Sequence, residues 1–160
     1  MTRKILVLPA LALAATTIAA YPGVAADEHI VTTGDQLAWE PVPPALPPGA
    51  ELAVLSGDPS KEGQFVIRIR AAGGYKVPPH WHSTDEHVTV LSGTLYMGMG
   101  DNLDTTKGTA LPAGGYAKLP AKMHHYAWAT GDCVIEVHAA GPFDITYVHP
   151  EDNPEKQATK

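Results

Sequence analysis

The sequence predicts an all-β fold built as one antiparallel sandwich or barrel. Three observations predict it: the length, the turn-rich composition and the spacing of short apolar runs. A chain of 160 residues suits a single domain. It contains 15 glycines and 15 prolines, which favour short strands joined by many turns. No window combines helical periodicity over ten or more residues with capping residues.

The individual strands are predicted from short runs of β-branched, aromatic and aliphatic residues. Turn signals such as SGDPSKEG, AAGG, GDN and TGD separate these runs. Regular short strands of this kind are typical of antiparallel sandwiches and barrels. The predicted strands are Leu52–Leu55, Phe65–Arg70, His87–Leu91, Thr94–Met99, Tyr116–Leu119, His125–Ala129, Val134–His138 and Ile145–Val148.

The N-terminal segment has the pattern of a secretory signal. Arg3 and Lys4 precede the apolar run from Ile5 to Ala20, and small residues end at Ala26. The alternative is a single membrane anchor, for which the run is short. We therefore expect export, to the periplasm or the exterior, with no stable membrane insertion after cleavage. The predicted divisions are signal peptide 1–26, extended Pro-rich arm 27–49, domain 50–150 and loose polar tail 151–160.

The charge of the chain argues against nucleic acid as a partner. The whole chain has a net charge of −6. Loss of the predicted signal removes two basic residues and leaves nine against 17 acidic ones, a net charge of −8. An acidic domain without a basic stripe is a poor ligand for nucleic acid or anionic membrane. The single cysteine, Cys133, lies in an apolar run and is predicted to be a buried structural thiol.

Most of the candidate metal-ligating side chains lie in one segment, GYKVPPHWHSTDEHVTVLSG, residues 74–93. His80 and His82 are two residues apart, a spacing that puts both imidazoles on one face of a strand. Glu86 follows four residues later and can supply a carboxylate. Each residue taken alone is more often an ordinary surface or core residue, so the prediction of a metal site depends on the set.

This segment resembles the first motif of the cupin superfamily. That motif has glycine, five residues, His-x-His, three or four residues, glutamate, six residues and glycine. Here Gly74, His80, His82, Glu86 and Gly93 stand at those positions. The resemblance extends over approximately residues 54–148, most closely to small bacterial exported single-domain cupins with an RmlC-like jelly roll.

The second cupin motif is matched in part. Gly114 and Pro120 stand at motif positions, and His125 falls at the motif histidine. Lys122 replaces a motif glycine, and Ala129 replaces a motif asparagine. The resemblance therefore implies His125 as the fourth ligand, with an altered turn before it.

The neighbouring histidine, His124, is the alternative fourth ligand. Adjacent strand residues point to opposite faces, so only one of the pair enters a barrel. The family register selects His125 and sends His124 outward with Tyr126 and Trp128. A bulge at Met123 would reverse this assignment.

The resemblance implies an antiparallel double-stranded β-helix, the cupin jelly-roll barrel, with one divalent transition metal. Three imidazoles and one carboxylate suit Fe, Mn, Ni, Cu or Zn and do not distinguish among them.

Cupins commonly form dimers, so the resemblance implies a homodimer, with the Pro-rich arm crossing to the partner. Tyr96, Glu136 and His138 are candidate pocket or supporting residues, because strand parity can turn them towards the site. The alternative is ordinary core packing for Tyr96 and an outward polar face for Glu136 and His138.

Three functions remain open at this point. The leading one is a metal-dependent enzyme of dioxygenase, decarboxylase, lyase or isomerase type, acting on a small oxygen-rich molecule. The second is a non-catalytic periplasmic module that binds a metal or a small ligand. The third is a cupin scaffold without a functioning site, which the complete ligand set disfavours.

Overall fold

The computed structural model of the protein describes residues 29–157, and the predicted signal peptide lies outside the described residues. The described chain is almost entirely antiparallel β-structure. One four-residue helix, α1 (Pro154–Gln157), and two 3-10 turns, Gly34–Gln36 and Pro150–Asp152, complete it. The strands are β1 (Glu40–Pro41), β2 (Ala50–Ser56), β3 (Gly63–Ala71), β4 (Lys76–Trp81), β5 (Glu86–Ser92), β6 (Thr94–Met99), β7 (Thr109–Pro112), β8 (Tyr116–Leu119), β9 (His125–Ala129), β10 (Cys133–Gly141) and β11 (Thr146–Tyr147).

The strands form two sheets that face each other across the core. One sheet has the order β1-β2-β3-β10-β5-β8, and the other has the order β11-β4-β9-β6-β7. Every strand pair is antiparallel, as expected for a jelly roll. Alternate residues of each strand point inward, and the buried cluster includes Phe65, Val88, Val90, Leu119 and Val137. The predicted all-β jelly-roll fold is confirmed.

Strand β4 is absent from the strands predicted by composition, because its sequence KVPPHW contains two prolines. Proline has no amide hydrogen for a sheet ladder and is confined to edges and irregular pairings. The structure resolves the conflict with a register shift in the β4–β9 pairing between Val77 and His80. A bulge of this kind re-aims the residues that follow it, and here those residues include the predicted ligands.

The Pro-rich arm lies along its own barrel. β1 pairs with β2, and two phenol groups hold the segment that follows. The hydroxyl of Tyr147 donates to the carbonyl of Ala45 at 2.8 Å, and that of Tyr75 donates to the carbonyl of Pro47 at 2.9 Å. These two bonds hold the arm against the barrel.

Two smaller features concern the C-terminal half. Cys133 is 4% exposed, and burial raises the pKa of its thiol, with a smaller contribution from the charge of Asp132. An uncharged, buried thiol is chemically unreactive.

The tail forms the 3-10 turn Pro150–Asp152 and the short helix α1, up to Gln157. Among residues 29–157 there is no helix with the length and apolar character needed to cross a membrane.

Candidate metal centre

Three buried histidines converge inside the barrel. His80 at the end of β4 lies directly opposite His125 at the start of β9, and His82 follows just after β4. The ring centroids are 4.2 Å apart for His80 and His125, 5.0 Å for His80 and His82, and 5.4 Å for His82 and His125. One ring nitrogen from each lies within 4.8 Å of the other two.

Backbone carbonyls orient all three rings through their Nδ1 atoms. His80 Nδ1 lies 2.7 Å from the carbonyl oxygen of Pro78, and His125 Nδ1 lies 2.9 Å from that of Met123. His82 Nδ1 lies 2.5 Å from the carbonyl oxygen of Asp144. A carbonyl only accepts, so each Nδ1 carries the proton and each Nε2 keeps a free lone pair. This is the tautomer that protein metal sites use.

Burial favours the neutral imidazole of His80 and of His82. Burial lowers the pKa of His80 well below its usual value, and the charges of His125 and His82 lower it further. Burial is also the main reason that the pKa of His82 is lowered. The Nε2 of His82 is buried without a hydrogen-bond partner. Burying a polar atom without a partner is energetically unfavourable. The unpaired Nε2 lone pair of His82, in a cluster of histidines, therefore suits an electron-pair acceptor such as a metal ion.

Glu86 brings a carboxylate close to two of the three histidines, His82 and His125. Its Oε2 lies 3.4 Å from Nε2 of His125 and 3.6 Å from Nε2 of His82. The preceding residue, Asp85, faces elsewhere: it pairs with Lys118 at 2.9 Å and accepts the backbone amide of Ala121. Only one of the two adjacent acids therefore reaches the histidines.

The structure places His125 inside the barrel and His124 outside it. His125 is 2% exposed, whereas the ring of His124 contacts the Asp101 carboxylate at 2.6 Å. The preceding turn has Lys122 in the left-handed region, with φ of 64°. Its amide donates to the carbonyl of His82 at 2.8 Å, so the turn also connects two histidine segments. The chain thus keeps the turn geometry that the cupin glycine would favour, with lysine in its place.

The three other candidate residues do not line the central cavity. Tyr96 stacks on Trp128 on the opposite face of its sheet, with ring centroids 5.2 Å apart. Glu136 pairs with Arg68 at 2.8 Å and with His138 at 2.9 Å on the outer face of the other sheet. These side chains have the opposite parity from Leu95, Met97, Ile135 and Val137, which line the cavity. Of the two positions that the sequence left open for Glu136 and His138, the structure has the outward one.

A cavity of about 350 Å³ opens beside the histidines and Glu86. Its walls combine apolar residues of both sheets with Pro43, Ala45 and Leu46 of the arm and the segment after β10. Sequence reasoning missed two residues of that last segment, Phe143 and Asp144. Phe143 stacks on His82, and Asp144 supplies the carbonyl that anchors the same ring. Neither lies in a ligand motif, so no local signal identified them.

The donor set fits a divalent transition metal. Three neutral imidazoles and one carboxylate give a site of charge −1, which an ion of charge +2 converts to +1. Metal–nitrogen distances are about 2.0–2.1 Å, so two nitrogens on one ion are at most about 4.2 Å apart. The histidine nitrogens lie within 4.8 Å of one another, and a small inward movement of the rings would bring them to that spacing. Four protein ligands leave positions open on a five- or six-coordinate ion, as in catalytic rather than structural sites.

Comparison with known proteins agrees with this architecture. Residues 27–144 match the family described as the ChrR cupin-like domain. The polyketide cyclase RemF from Streptomyces resistomycificus superimposes with a TM-score of 0.67 at 15% identity, over 83% of this chain and 94% of that chain. An RmlC-like cupin from Shewanella frigidimarina superimposes with a TM-score of 0.56 at 18% identity, over 71% and 90% of the two chains.

A proposed acetylacetone dioxygenase from Methylibium petroleiphilum superimposes with a TM-score of 0.60 at 20% identity, over 79% of this chain and 85% of that chain. At these identities the likeness establishes the fold alone. No curated protein matches the chain significantly.

Proposed function

This chain belongs to the cupin superfamily, in the family of ChrR cupin-like domains, and on that premise we propose that it binds one divalent transition metal through His80, His82, Glu86 and His125. We propose further that the loaded site acts on a small molecule as a metal-dependent enzyme. The observation that carries the proposal is the orphaned Nε2 of His82 inside a cluster of inward-facing lone pairs.

The contribution of the chain is to hold the ligands ready before an ion arrives. Three carbonyl anchors fix the imidazole planes, and the buried walls exclude bulk water. When bound, an ion of this kind polarises an oxygen ligand or activates water or O₂. The donors suit Fe, Mn, Ni, Cu and Zn alike. Dioxygenase, decarboxylase, lyase and isomerase reactions all remain compatible with them.

Two observations bear on whether the site is catalytic. RemF is an enzyme on the same fold, which supports an enzymatic role. The second candidate is a non-catalytic module that binds a metal or small ligand. It is favoured by the lack of a free acid or base: beyond the ligands, Asp144 is the only ionisable residue lining the described cavity.

The carboxylate of Asp144 is already engaged. Its Oδ1 accepts hydrogen bonds from the amide of Ser83 at 2.8 Å and from the Ser83 hydroxyl at 2.5 Å. Burial raises the pKa of this carboxyl, but the bonds from Ser83, together with the backbone amide of Asp144 and the nearby His82, outweigh burial and lower the pKa below its usual value. A general base in the cavity would therefore have to be supplied by a ligand residue or by bound solvent.

Elemental analysis tests the metal proposal. The protein should be purified without chelator from its native host and compared with His82→Ala and His87→Ala. His87 is a matched control, because it lies on the outer face and its Nδ1 contacts the hydroxyl of Tyr116 at 2.6 Å. We expect about one equivalent of metal in the wild type and in His87→Ala, and a large loss in His82→Ala. Stoichiometric metal in a folded His82→Ala protein would overturn the ligand set.

A second measurement separates the two candidate functions. The metal-loaded protein is incubated with a panel of small oxygen-containing molecules, and both oxygen uptake and conversion of each molecule are measured. Turnover supports the enzyme, whereas tight binding without turnover across the panel supports the binding module.

Export to the periplasm or exterior and assembly as a homodimer stay predictions. Detection of the mature chain, cut after residue 26, in the exported fraction tests the first of them.

A further inference from the structure

The cavity beside the histidines is apolar almost throughout. Strands β3, β6 and β10 line it with Ile67, Ile69, Leu95, Met97, Ile135 and Val137. The remaining lining positions of the described chain, apart from the ligands and Asp144, are also aliphatic, proline or phenylalanine. None is a serine, threonine, tyrosine, asparagine, glutamine, lysine or arginine. Small-molecule sites normally add a few polar groups that orient the ligand, and here these groups lie only at the histidine end.

This distribution limits where a ligand can carry oxygen atoms. A hydroxyl buried against the β3, β6 and β10 side chains would lose its water and find no partner, which is unfavourable. Ligand oxygen atoms at the histidine end of the cavity would instead bind the proposed metal ion. A molecule with hydroxyls along its whole length therefore fits this cavity poorly, which narrows the oxygen-rich substrate expected from the sequence.

The charges limit the ligand in a second way. With a divalent ion and Glu86, the centre carries a charge of +1, and no lysine or arginine lines the described cavity. The metal centre therefore favours an anionic oxygen donor over a neutral one. The carboxylate of Asp144, which also lines the cavity, limits the negative charge that the cavity accepts and disfavours a doubly charged ligand. A singly charged anion neutralises the centre, and buried charges are tolerated best when paired.

We propose, building on the metal site above, that the natural ligand or substrate is a singly charged oxygen chelator with an apolar body. A carboxylate or an enolate at one end binds the ion, and a hydrocarbon chain or ring fills the barrel. The arm completes the apolar pocket through Leu46, whose segment is held in place by the Tyr75 and Tyr147 hydroxyls.

The test uses Co²⁺-loaded protein, because the visible absorption of Co²⁺ responds to a new ligand. Acetate, butanoate, hexanoate and octanoate are titrated together with gluconate, which has the carbon number and charge of hexanoate but carries hydroxyls. We expect the Kd to fall about three- to fourfold for each methylene added until the cavity is full. Gluconate should bind at least tenfold more weakly than hexanoate.

Two variants test whether the cavity wall at Leu46 contacts the hydrocarbon part of the ligand. Leu46→Glu places a carboxylate in the cavity wall and should weaken hexanoate binding at least tenfold while metal content stays unchanged. Leu37→Glu makes the same change in the N-terminal segment outside the cavity lining and should bind hexanoate like the wild type. Elemental analysis accompanies each titration, so that a change in metal loading is not mistaken for a change in ligand affinity.

The outcomes separate this inference from the metal proposal. If the folded protein takes up no Co²⁺, the metal proposal fails and this inference fails with it. If it binds one equivalent but shows equal affinity for gluconate and hexanoate, or no dependence on chain length, the metal site stands and the apolar ligand class is overturned. Chain-length dependence that survives Leu46→Glu unchanged would also contradict the assigned pocket.

Discussion

The imidazole of His82 stacks on the phenyl ring of Phe143, with centroids 4.3 Å apart and planes inclined by 19°. The same imidazole donates from Nδ1 to the carbonyl of the next residue, Asp144. One short segment after β10 therefore fixes both the plane and the rotation of this ring. Phe143 in turn packs edge-on against Phe65 in the core, with centroids 5.2 Å apart, which ties the orientation of His82 to the packing of the barrel.

Replacing Phe143 with alanine should weaken metal binding without removing a ligand. Loss of the stacked ring frees His82 to turn, and groups that orient metal ligands typically contribute tenfold to a hundredfold in affinity. The affinity is measured by competition for Zn²⁺ with a chromogenic chelator. Phe143→Leu keeps apolar bulk and should lose less. Equal affinity in the wild type and a folded Phe143→Ala protein would show that the stack does not orient the ligand.

Lys122→Gly should stabilise the fold. Lys122 is the one described non-glycine residue with positive φ, at 64°, a conformation that costs a side chain roughly 1–2 kcal/mol. Glycine avoids this cost. Its greater conformational freedom in the unfolded chain offsets part of the stabilisation. We expect a net rise of about 1 kcal/mol in the free energy of unfolding, measured with denaturant.

Lys122→Ala is the control for that experiment. It removes the exposed lysine side chain but keeps the Cβ atom that makes the conformation unfavourable. It should therefore show no comparable gain. A similar gain in both variants would attribute the effect to the lost charge or side-chain entropy rather than to φ.

Tyr75→Phe should flatten the loss of stability at alkaline pH. Burial raises the pKa of Tyr75 from about 10 to about 12, so the phenol ionises earlier in the unfolded chain than in the folded one. Its contribution is fully present below pH 10 and is lost as the pH rises towards 12. The variant lacks this dependence but also lacks the hydrogen bond to Pro47, worth about 1 kcal/mol at neutral pH.

Denaturant unfolding of both proteins between pH 8 and pH 12 measures the difference. The two stabilities should converge as the pH rises. Tyr147→Phe should act in the same direction, because burial is also the main cause of the raised pKa of that phenol. Parallel curves for wild type and Tyr75→Phe across this range would refute the prediction.

Gly98→Ala should be strongly destabilising. A Cβ atom at Gly98 would overlap the ring of Tyr126, which occupies the space opposite it on β9. Overpacking of this kind typically costs 1–3 kcal/mol. Gly131→Ala is the control, because a Cβ there meets nothing within 4 Å. Thermal unfolding of the two variants should differ by several degrees.

A double variant tests the cause. Replacing Tyr126 with leucine should relieve part of the cost of Gly98→Ala, so the two changes should not add. Metal content should not change, because Tyr126 lies on the face away from the histidines. Strict additivity would show that Gly98 is required for another reason.

The fold was predictable because strand periodicity and turn chemistry are local. Three predicted strands, Thr94–Met99, Tyr116–Leu119 and His125–Ala129, have the same bounds in the structure. Strand β4, which ends with His80 and Trp81 and leads directly into His82, was not predicted from composition. Its prolines are tolerated only because β9 pairs with it through a shifted register, and such a pairing is a property of the tertiary structure.

The candidate site was predictable to the extent that motifs determine side-chain direction. The His-x-His spacing and the family register place His80, His82 and His125 in one buried cluster. For Tyr96, Glu136 and His138 the sequence left both faces of the sheet open, because alternation tells which residues share a face and not which face is inside. Phe143 and Asp144 act through contacts with a segment some 60 residues earlier, which local patterns do not reveal.

The three carbonyl anchors also set an order of assembly for the centre. The anchors of His80 and His125 come from residues two positions earlier, so both rings are oriented as soon as their own segments are formed. The anchor of His82 comes from a residue 62 positions later and exists only after the last part of the barrel has docked. Detachment of that end alone would release one imidazole while two remain aligned. An ion could then escape through partial opening of the C-terminal segment, at a rate faster than global unfolding allows.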